Sequence, residues 1–381
     1  MKKILSFVLS LTILSSFFSF NVFASDSVSV QDFAKQQIAQ ISSKPYNDIW
    51  TENTEIKSEF VLYDLEGFPN SYIYNLTTEG KNTGYIQIDV LDDLYTVHSY
   101  SFDGTNEVFH MLRNISQTNQ NSLSYNTEQI YYLGSSFYAI KNGQKFVDLY
   151  SGNEINLNSE KLTEFYDDFV AMKKSQRTTL QANSSLISVE NYNNFSLVEM
   201  DDFSGKTIVG AQSSLVDDHC TPTAGTNVVK YYALCRGKSA LYDGSDWNTF
   251  KALYLAMDTN GVNSSSGLIG TYWDITYSDG YAGLLDYINS KGTPASDTYR
   301  YALGGLTGIN FNSIKEQIDK DHPVIMGVKS FPNAAEPDGY HSVVAFGYDS
   351  NNVMLTNGWD KRYHYYNYSS LAVHEYYYIG F

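Results

Sequence analysis

Cysteine is nearly missing from this sequence. Among 381 residues there are two, Cys220 and Cys235. An exported fold that depended on disulfides would carry more. Basic residues are also scarce, 25 against 42 acidic ones, for a formal charge of −17. A polyanion binder needs clustered Lys and Arg, so nucleic acid is excluded as a partner and the acidity reads as solubility. Beyond the first two dozen residues no apolar run approaches the ~18 residues of a membrane span, so no stable membrane insertion is expected of the mature chain. No internal repeat is present. Gly304-Gly-Leu-Thr-Gly lacks the Gly-Lys pair and the strand-to-helix setting of a phosphate loop. No His/Cys spacing of the zinc kind occurs, so neither a metal nor another cofactor is expected.

What is present begins with a leader. Lys2 and Lys3 precede an apolar run from Ile4 to Phe18, and Val22-Phe23-Ala24 offers a small residue for signal peptidase. Residues 1–24 therefore read as a secretory signal, and the mature chain as extracellular. The 33 tyrosines, with Thr, Val and Asn-rich stretches, favour strands and turns. Val30 to Ile41 has helical spacing. Strands are expected at 59–63, 71–76, 84–90 and 94–100, and a further strand pair within 129–149. Leu162 to Met172 reads as an amphipathic helix. Together these make a small α+β domain over residues 25–180. A polar stretch follows, and residues 181–200 are taken as a linker.

From 201 to 381 the pattern changes. Helices are expected from Cys220, over Trp247–Met257, Gly280–Ser290 and Asn312–Lys320. Strands follow at 324–328, 341–348, 353–357 and 376–380. Helices first and strands second give an α+β architecture. Pro222 suits a first helical turn, which puts Cys220 at the helix N-terminus. There the macrodipole and free N–H groups favour a thiolate and can hold an oxyanion. The flanking Asp218, His219 and Thr221 argue against full burial of the thiol. Cys235 lies 15 residues along the same helix, roughly 22 Å away, whereas a disulfide needs Cα atoms within about 7 Å. Cys220 is therefore expected to be a free, reactive thiol.

A thiol nucleophile needs a base, and the base an orienting group. His98 and His110 belong to the N-terminal domain. His219 adjoins Cys220 but diverges from it, and His322 sits in a turn before Pro323. His364 and His374 lie in the Tyr-rich C-terminal strands. His341 opens the strand Ser-Val-Val-Ala-Phe-Gly-Tyr, a rigid mount. A surface histidine at a strand end would look the same. Asn357, in Leu355-Thr-Asn-Gly-Trp-Asp, ends the next strand. A hairpin through Asp349-Ser-Asn-Asn would bring its side-chain amide to the imidazole, with Trp359 shielding the bond. Asp360 is the rival orienter.

These segments, Cys220-Thr-Pro-Thr-Ala, Pro323-Val-Ile-Met-Gly-Val, His341-Ser-Val-Val-Ala-Phe-Gly-Tyr and Asn357-Gly-Trp, resemble the Cys…His…Asn order of the papain superfamily. The nearest likeness is to secreted bacterial enzymes related to family thirty-nine of the cysteine peptidases, and more distantly to streptopain. It covers residues 205–381. The resemblance implies a papain-like domain, helix first and then antiparallel sheet, that hydrolyses protein or peptide substrates. Cys220 would be the nucleophile, His341 the general base and acid, Asn357 the orienter and Gln212 an oxyanion donor. Gln212 is eight residues upstream, slightly further than papain's spacing. Two departures stand out: Thr221 replaces the usual Trp, and Asn-Gly-Trp-Asp replaces Asn-Ser-Trp-Gly, which keeps Asp360 open beside Asn357. Tyr72-Ile-Tyr-Asn-Leu and Gly84-Tyr-Ile-Gln-Ile resemble the pro-region of streptopain-like enzymes, which implies a propeptide that assists folding and inhibits the catalytic domain in cis. The same Cys-His core would also serve a cell-wall amidase or a transglutaminase, and a binding or host-interaction protein without activity could retain the fold.

Overall fold

A computed structural model describes residues 29–91, 94–118, 129–134, 137–143, 145–149, 152, 154–155, 163, 166–167, 169–171, 185–208, 216, 218–261, 270–273, 276–302, 309–329 and 340–381. The leader, residues 162, 164–165, 168 and 172 of the expected helix, residues 181–184 of the linker and Gln212 lie outside the described residues.

The first helix, α1 (Val30–Ser42), starts where the Ser29 side chain accepts the Asp32 N–H, and it buries Ala34, Ile38 and Ile41 along one stripe. It lies on a meander of β1 (Thr54–Tyr63), β2 (Pro69–Thr78), β3 (Lys81–Leu91) and β4 (Leu94–Ser101). The β2–β3 turn, Glu79-Gly80, has positive φ at both positions (53° and 76°), the hand that suits a two-residue hairpin. A helix absent from the sequence reading follows: α2 (Glu107–Thr118), which buries Val108, Met111 and Ile115. The expected strand pair within 129–149 is three strands, β5 (Ile130–Gly134), β6 (Phe137–Asn142) and β7 (Lys145–Asp148). Of these, β5 joins β1 in parallel.

The second half enters through β8 (Ile187–Ser188), which pairs with a later strand, β11. Its helices are α3 (Cys220–Cys235), α4 (Asp246–Ala256), α5 (Asp279–Ser290) and α6 (Phe311–Asp319). α3 is buried nearly all round, from Pro222 to Ala233, as a helix through the middle of a core must be. Its one buried cation, Lys230, reaches Asp246 at 2.7 Å. The strands are β9 (Asp297–Ala302), β10 (Val324–Lys329), β11 (Tyr340–Asp349), β12 (Asn352–Thr356), β13 (His364–Asn367) and β14 (Val373–Gly380). β9 has no counterpart in the sequence reading, whereas β13 falls among the Tyr-rich C-terminal strands that hold His364. The Asp349–Asn352 hairpin forms as read.

The two halves share one sheet, in the order β7-β6-β5-β1-β2-β3-β4-β13-β12-β11-β10-β14-β9. The seam is β4 against β13, with Tyr100 opposite Tyr365 and Ser99 opposite Tyr366. Aromatic rings close it: Tyr100 and Tyr365 stack at 4.9 Å, and Phe102 and Tyr365 meet edge to face at 5.5 Å. Polar groups cross it too. Lys44 and Tyr46 meet the fully buried Asp349. The Ser101 hydroxyl donates to the Tyr363 carbonyl at 2.9 Å, and the Thr105 N–H donates to Asp360 at 3.1 Å. The architecture is mixed α+β, with the helices of the second half packed on a sheet that runs through both halves.

Candidate active site

The local fold explains why one thiol stands at a helix tip. Asp218 takes positive φ (43°), His219 caps α3 in a non-helical conformation, and the chain then turns into the helix at Cys220. The Thr223 N–H returns to the His219 carbonyl at 3.1 Å. The N–H groups before it lie in the orphaned first turn, pointing out of the helix end. α3 packs against β11. On that strand His341 stands opposite Val328 and Ser342 opposite Gly327. The Thr221 hydroxyl and the Ser342 hydroxyl are 2.8 Å apart, which ties the helix tip to the strand beside the imidazole. α5 comes close as well: a Cβ on Gly280 would lie 2.8 Å from both the Thr221 methyl and the Tyr377 hydroxyl, so glycine is what fits there.

The structure brings Cys220 and His341 close enough for each to shift the other's proton affinity. Burial pushes the Cys220 thiol up. The hydrogen bond and charge of His341, the Ser342 N–H and the Thr221 hydroxyl outweigh burial, and the thiol is held below its ordinary value. Burial likewise pushes the His341 imidazole down. The Cys220 sulfur, the Asn357 carbonyl and the charge of Glu107 more than offset this, and the ring is held above its ordinary value. Each shift favours the charged form, the thiolate for Cys220 and the imidazolium for His341. Cys220 is buried, with 8 % of its surface exposed, contrary to the partial exposure expected from its polar neighbours. His341 is 2 % exposed.

The ring's other nitrogen is settled by its acceptor. His341 Nε2 donates to the main-chain carbonyl of Asn357 at 2.6 Å. A carbonyl only accepts, so Nε2 keeps its proton, and Nδ1 is the basic atom of the neutral ring. The expected contact was the Asn357 side-chain amide. That amide is occupied elsewhere: Oδ1 accepts from the Trp359 N–H at 3.1 Å, and Nδ2 donates to the Tyr366 hydroxyl at 3.3 Å. The turn between them needs Gly358, whose φ of 77° reverses the chain and lays Trp359 on the His341 ring, with centroids 5.5 Å apart. Asp360 turns away from His341. Its carboxylate accepts from His364 Nε2 at 2.8 Å, from the Arg362 N–H and from the Thr105 N–H. His219 also faces away, with Nε2 bonded to the Met200 carbonyl at 3.0 Å. Gln212 lies outside the described residues. Cys235, at the far end of α3, and Cys220 are both free thiols.

Residues 200–380 match the family model described as the Peptidase_C39 like family. That segment, just under half of the chain, is similar to the C39-like peptidases. A solved structure from Bacillus anthracis, described as a candidate C39-like peptidase, is similar at 14 % identity; the match covers 49 % of this chain and 98 % of that one, with a TM-score of 0.27. No curated protein matches the chain. Three groups at the site, Ser342 and Tyr366 inside the matched segment and Glu107 outside it, carry no sequence signal of their own. Ser342 carries the N–H that supports the sulfur, and it is simply the residue after His341. Glu107 and Tyr366 stand behind Asn357, and they come from opposite sides of the β4–β13 seam. Only the folded seam makes them neighbours.

Proposed function

We propose that the chain is an exported cysteine peptidase in which Cys220 is the nucleophile, His341 the base and acid, and Asn357 the group that orients His341. The observation that carries this reading is the pairing of the helix-tip sulfur of Cys220 with the imidazole of His341, each shifted toward its charged form. The sulfur attacks the substrate carbonyl carbon, a C–S bond forms, and the π electrons move onto oxygen. The Cys220 N–H at the α3 N-terminus is placed to meet that oxyanion, and Gln212 is the proposed second donor. As the intermediate collapses, the C–N bond breaks and the His341 imidazolium gives a proton to the departing amine. The product is a thioester. Water then attacks it while His341 takes the water's proton, the C–S bond breaks, and the acid leaves.

Residues 25–180 are proposed to act as a pro-region that restrains the site in cis. The burial of Cys220 supports this, together with its membership of an apolar cluster that also holds Trp359 and the α2 residues Val108 and Met111. The leader at residues 1–24 supports export to the extracellular space.

The test compares the full chain after the leader with its Cys220→Ala and His341→Ala variants on an unstructured protein substrate, with amide crosslinking scored in parallel. Hydrolysis by the parent chain alone supports the peptidase. Crosslinking without hydrolysis points to acyl transfer to amines, and equal behaviour of all three chains overturns an enzymatic role for the pair.

A further inference from the structure

Glu107 opens α2, in the half of the chain outside the C39-like segment, yet its carboxylate is buried at 1 % exposure. The Tyr366 hydroxyl donates to Glu107 Oε2 at 3.1 Å. That hydroxyl has one proton, given to the carboxylate, so it accepts from Asn357 Nδ2 at 3.3 Å. Asn357 in turn holds His341 Nε2 through its carbonyl. Each donor and acceptor in the series has a single consistent direction, from the imidazole through the Asn357 residue and the Tyr366 hydroxyl to the carboxylate.

A buried carboxylate calls for a compensating charge. Among the described residues no Lys or Arg pairs with Glu107. The other groups that feel its charge are Tyr85, Tyr132, Tyr138, Tyr366 and His98. The tyrosines are neutral donors pushed upward by burial. His98 is pushed down to about 4 by burial, so it is uncharged near neutrality. The remaining partner is the His341 ring, whose own charged neighbours are Cys220 and Glu107. The first turn of α2 helps to hold the negative charge in place.

We infer that Glu107, delivered by the N-terminal domain, is a positioning residue for His341: through Tyr366 and Asn357 it orients the imidazole and holds it in the charged form. This rests on the reading of His341 as the partner of Cys220. It follows that the docked N-terminal domain is electrically part of the site, and that separating it would change the proton affinity of His341.

The test follows the His341 ring by NMR through a pH titration of the full chain, with carbon-labelled histidine and assignment by loss of the signal in His341→Ala. Glu107→Gln keeps an acceptor for Tyr366 and removes the charge. It is expected to lower the His341 midpoint by about half to one pH unit. Tyr366→Phe, which cuts the series while leaving the carboxylate, is expected to move the midpoint the same way by less. In hydrolysis the alkaline limb of kcat should move with the midpoint while KM stays. Near-ultraviolet circular dichroism reports whether each variant keeps its fold. An unmoved midpoint in a folded Glu107→Gln chain overturns the inference, and so does loss of fold in both variants, which would make the carboxylate a purely structural group. A parent midpoint that ignores Cys220→Ala would remove the Cys–His pair and the proposed function with it. A pair that responds to Cys220→Ala but not to Glu107→Gln removes this inference alone.

Discussion

His341 Nε2 is held by the main-chain carbonyl of Asn357 at 2.6 Å, while the amide of the same asparagine is turned to Trp359 and Tyr366. The group that orients the imidazole is thus one that no side-chain substitution deletes. Asn357→Ala is expected to retain the contact but lose both the bracing of the turn and the link to Tyr366, lowering kcat by about tenfold. His341→Ala should cost the ~10²–10⁴-fold typical of a lost general acid–base group. Steady-state kinetics on a peptide substrate separates the two. An Asn357→Ala loss as deep as that of His341→Ala would mean that the amide, not the carbonyl, is the working group.

The opposite shifts of Cys220 and His341 set the pH behaviour. The thiol ionises below its ordinary 9.0 and the imidazolium persists above its ordinary 6.5. Both shifts favour the pH range in which the thiolate and the imidazolium coexist. Hydrolysis should therefore rise with pH as Cys220 loses its proton and fall as His341 loses its own. His341→Ala should move Cys220 ionisation upward, read as thiolate absorbance in the far ultraviolet. A midpoint unchanged by that substitution would show that the imidazole does not lower the thiol.

Cys235 supplies an internal control. It is half-buried and free, and burial raises its thiol above the ordinary value. Iodoacetamide at mildly acidic pH should modify the more buried Cys220 before the more open Cys235, because the thiolate is the reacting form. Peptide mapping by mass spectrometry gives the order, and Cys235 reacting first would contradict it.

The seam between β4 and β13 predicts what happens when residues 29–180 are removed. Tyr365 loses its stacks on Tyr46, Tyr100 and Phe102, β13 becomes an open edge, and Asp349 is stripped of Lys44 and Tyr46. Each large side chain exposed costs about 1.5–3 kcal/mol, enough in combination to exhaust the stability of a typical domain. A chain starting near residue 185 should aggregate or remain unfolded by size-exclusion chromatography, and should be rescued by adding the N-terminal fragment before refolding. A monomeric, cooperative fold of the short chain alone would count against the seam as a structural necessity.

Glu375 gives a stability test away from the reacting atoms. Burial pushes its carboxyl from 4.5 up to about 7, against the Arg300 guanidinium 2.6 Å away and hydrogen bonds from Ser278 and Trp273. The folded value lies above the unfolded one. The contribution is therefore fully present below about pH 4.5 and is lost as pH rises through about 7. Glu375→Gln should flatten that part of the stability profile, a change of order 3 kcal/mol measured by urea unfolding at several pH values.

Much of the second half was legible in the order of its residues. Pro222 after Cys220 and the apolar spacing to Tyr232 mark α3, and Asp349-Ser-Asn-Asn marks the hairpin that follows His341. α2 escaped notice although Val108, Met111 and Ile115 recur at helical spacing. β9 escaped because it is short and makes sense only as the edge partner of β14, and the strand around His364 gave no sign that it pairs with β4.

The residues alone determined that a thiol would stand at the start of a helix, that a histidine would open a strand, and that Asn-Gly would turn the chain beyond the next one. Those are local outcomes of backbone preference and periodicity, which a short window contains. The tertiary structure decided that a carbonyl rather than an amide holds the His341 imidazole, and that Glu107, more than 200 residues before His341 in the chain, stands behind Asn357 and Tyr366. Such contacts depend on strand pairing and on the burial of charge, and both are properties of the whole sheet rather than of any segment in it.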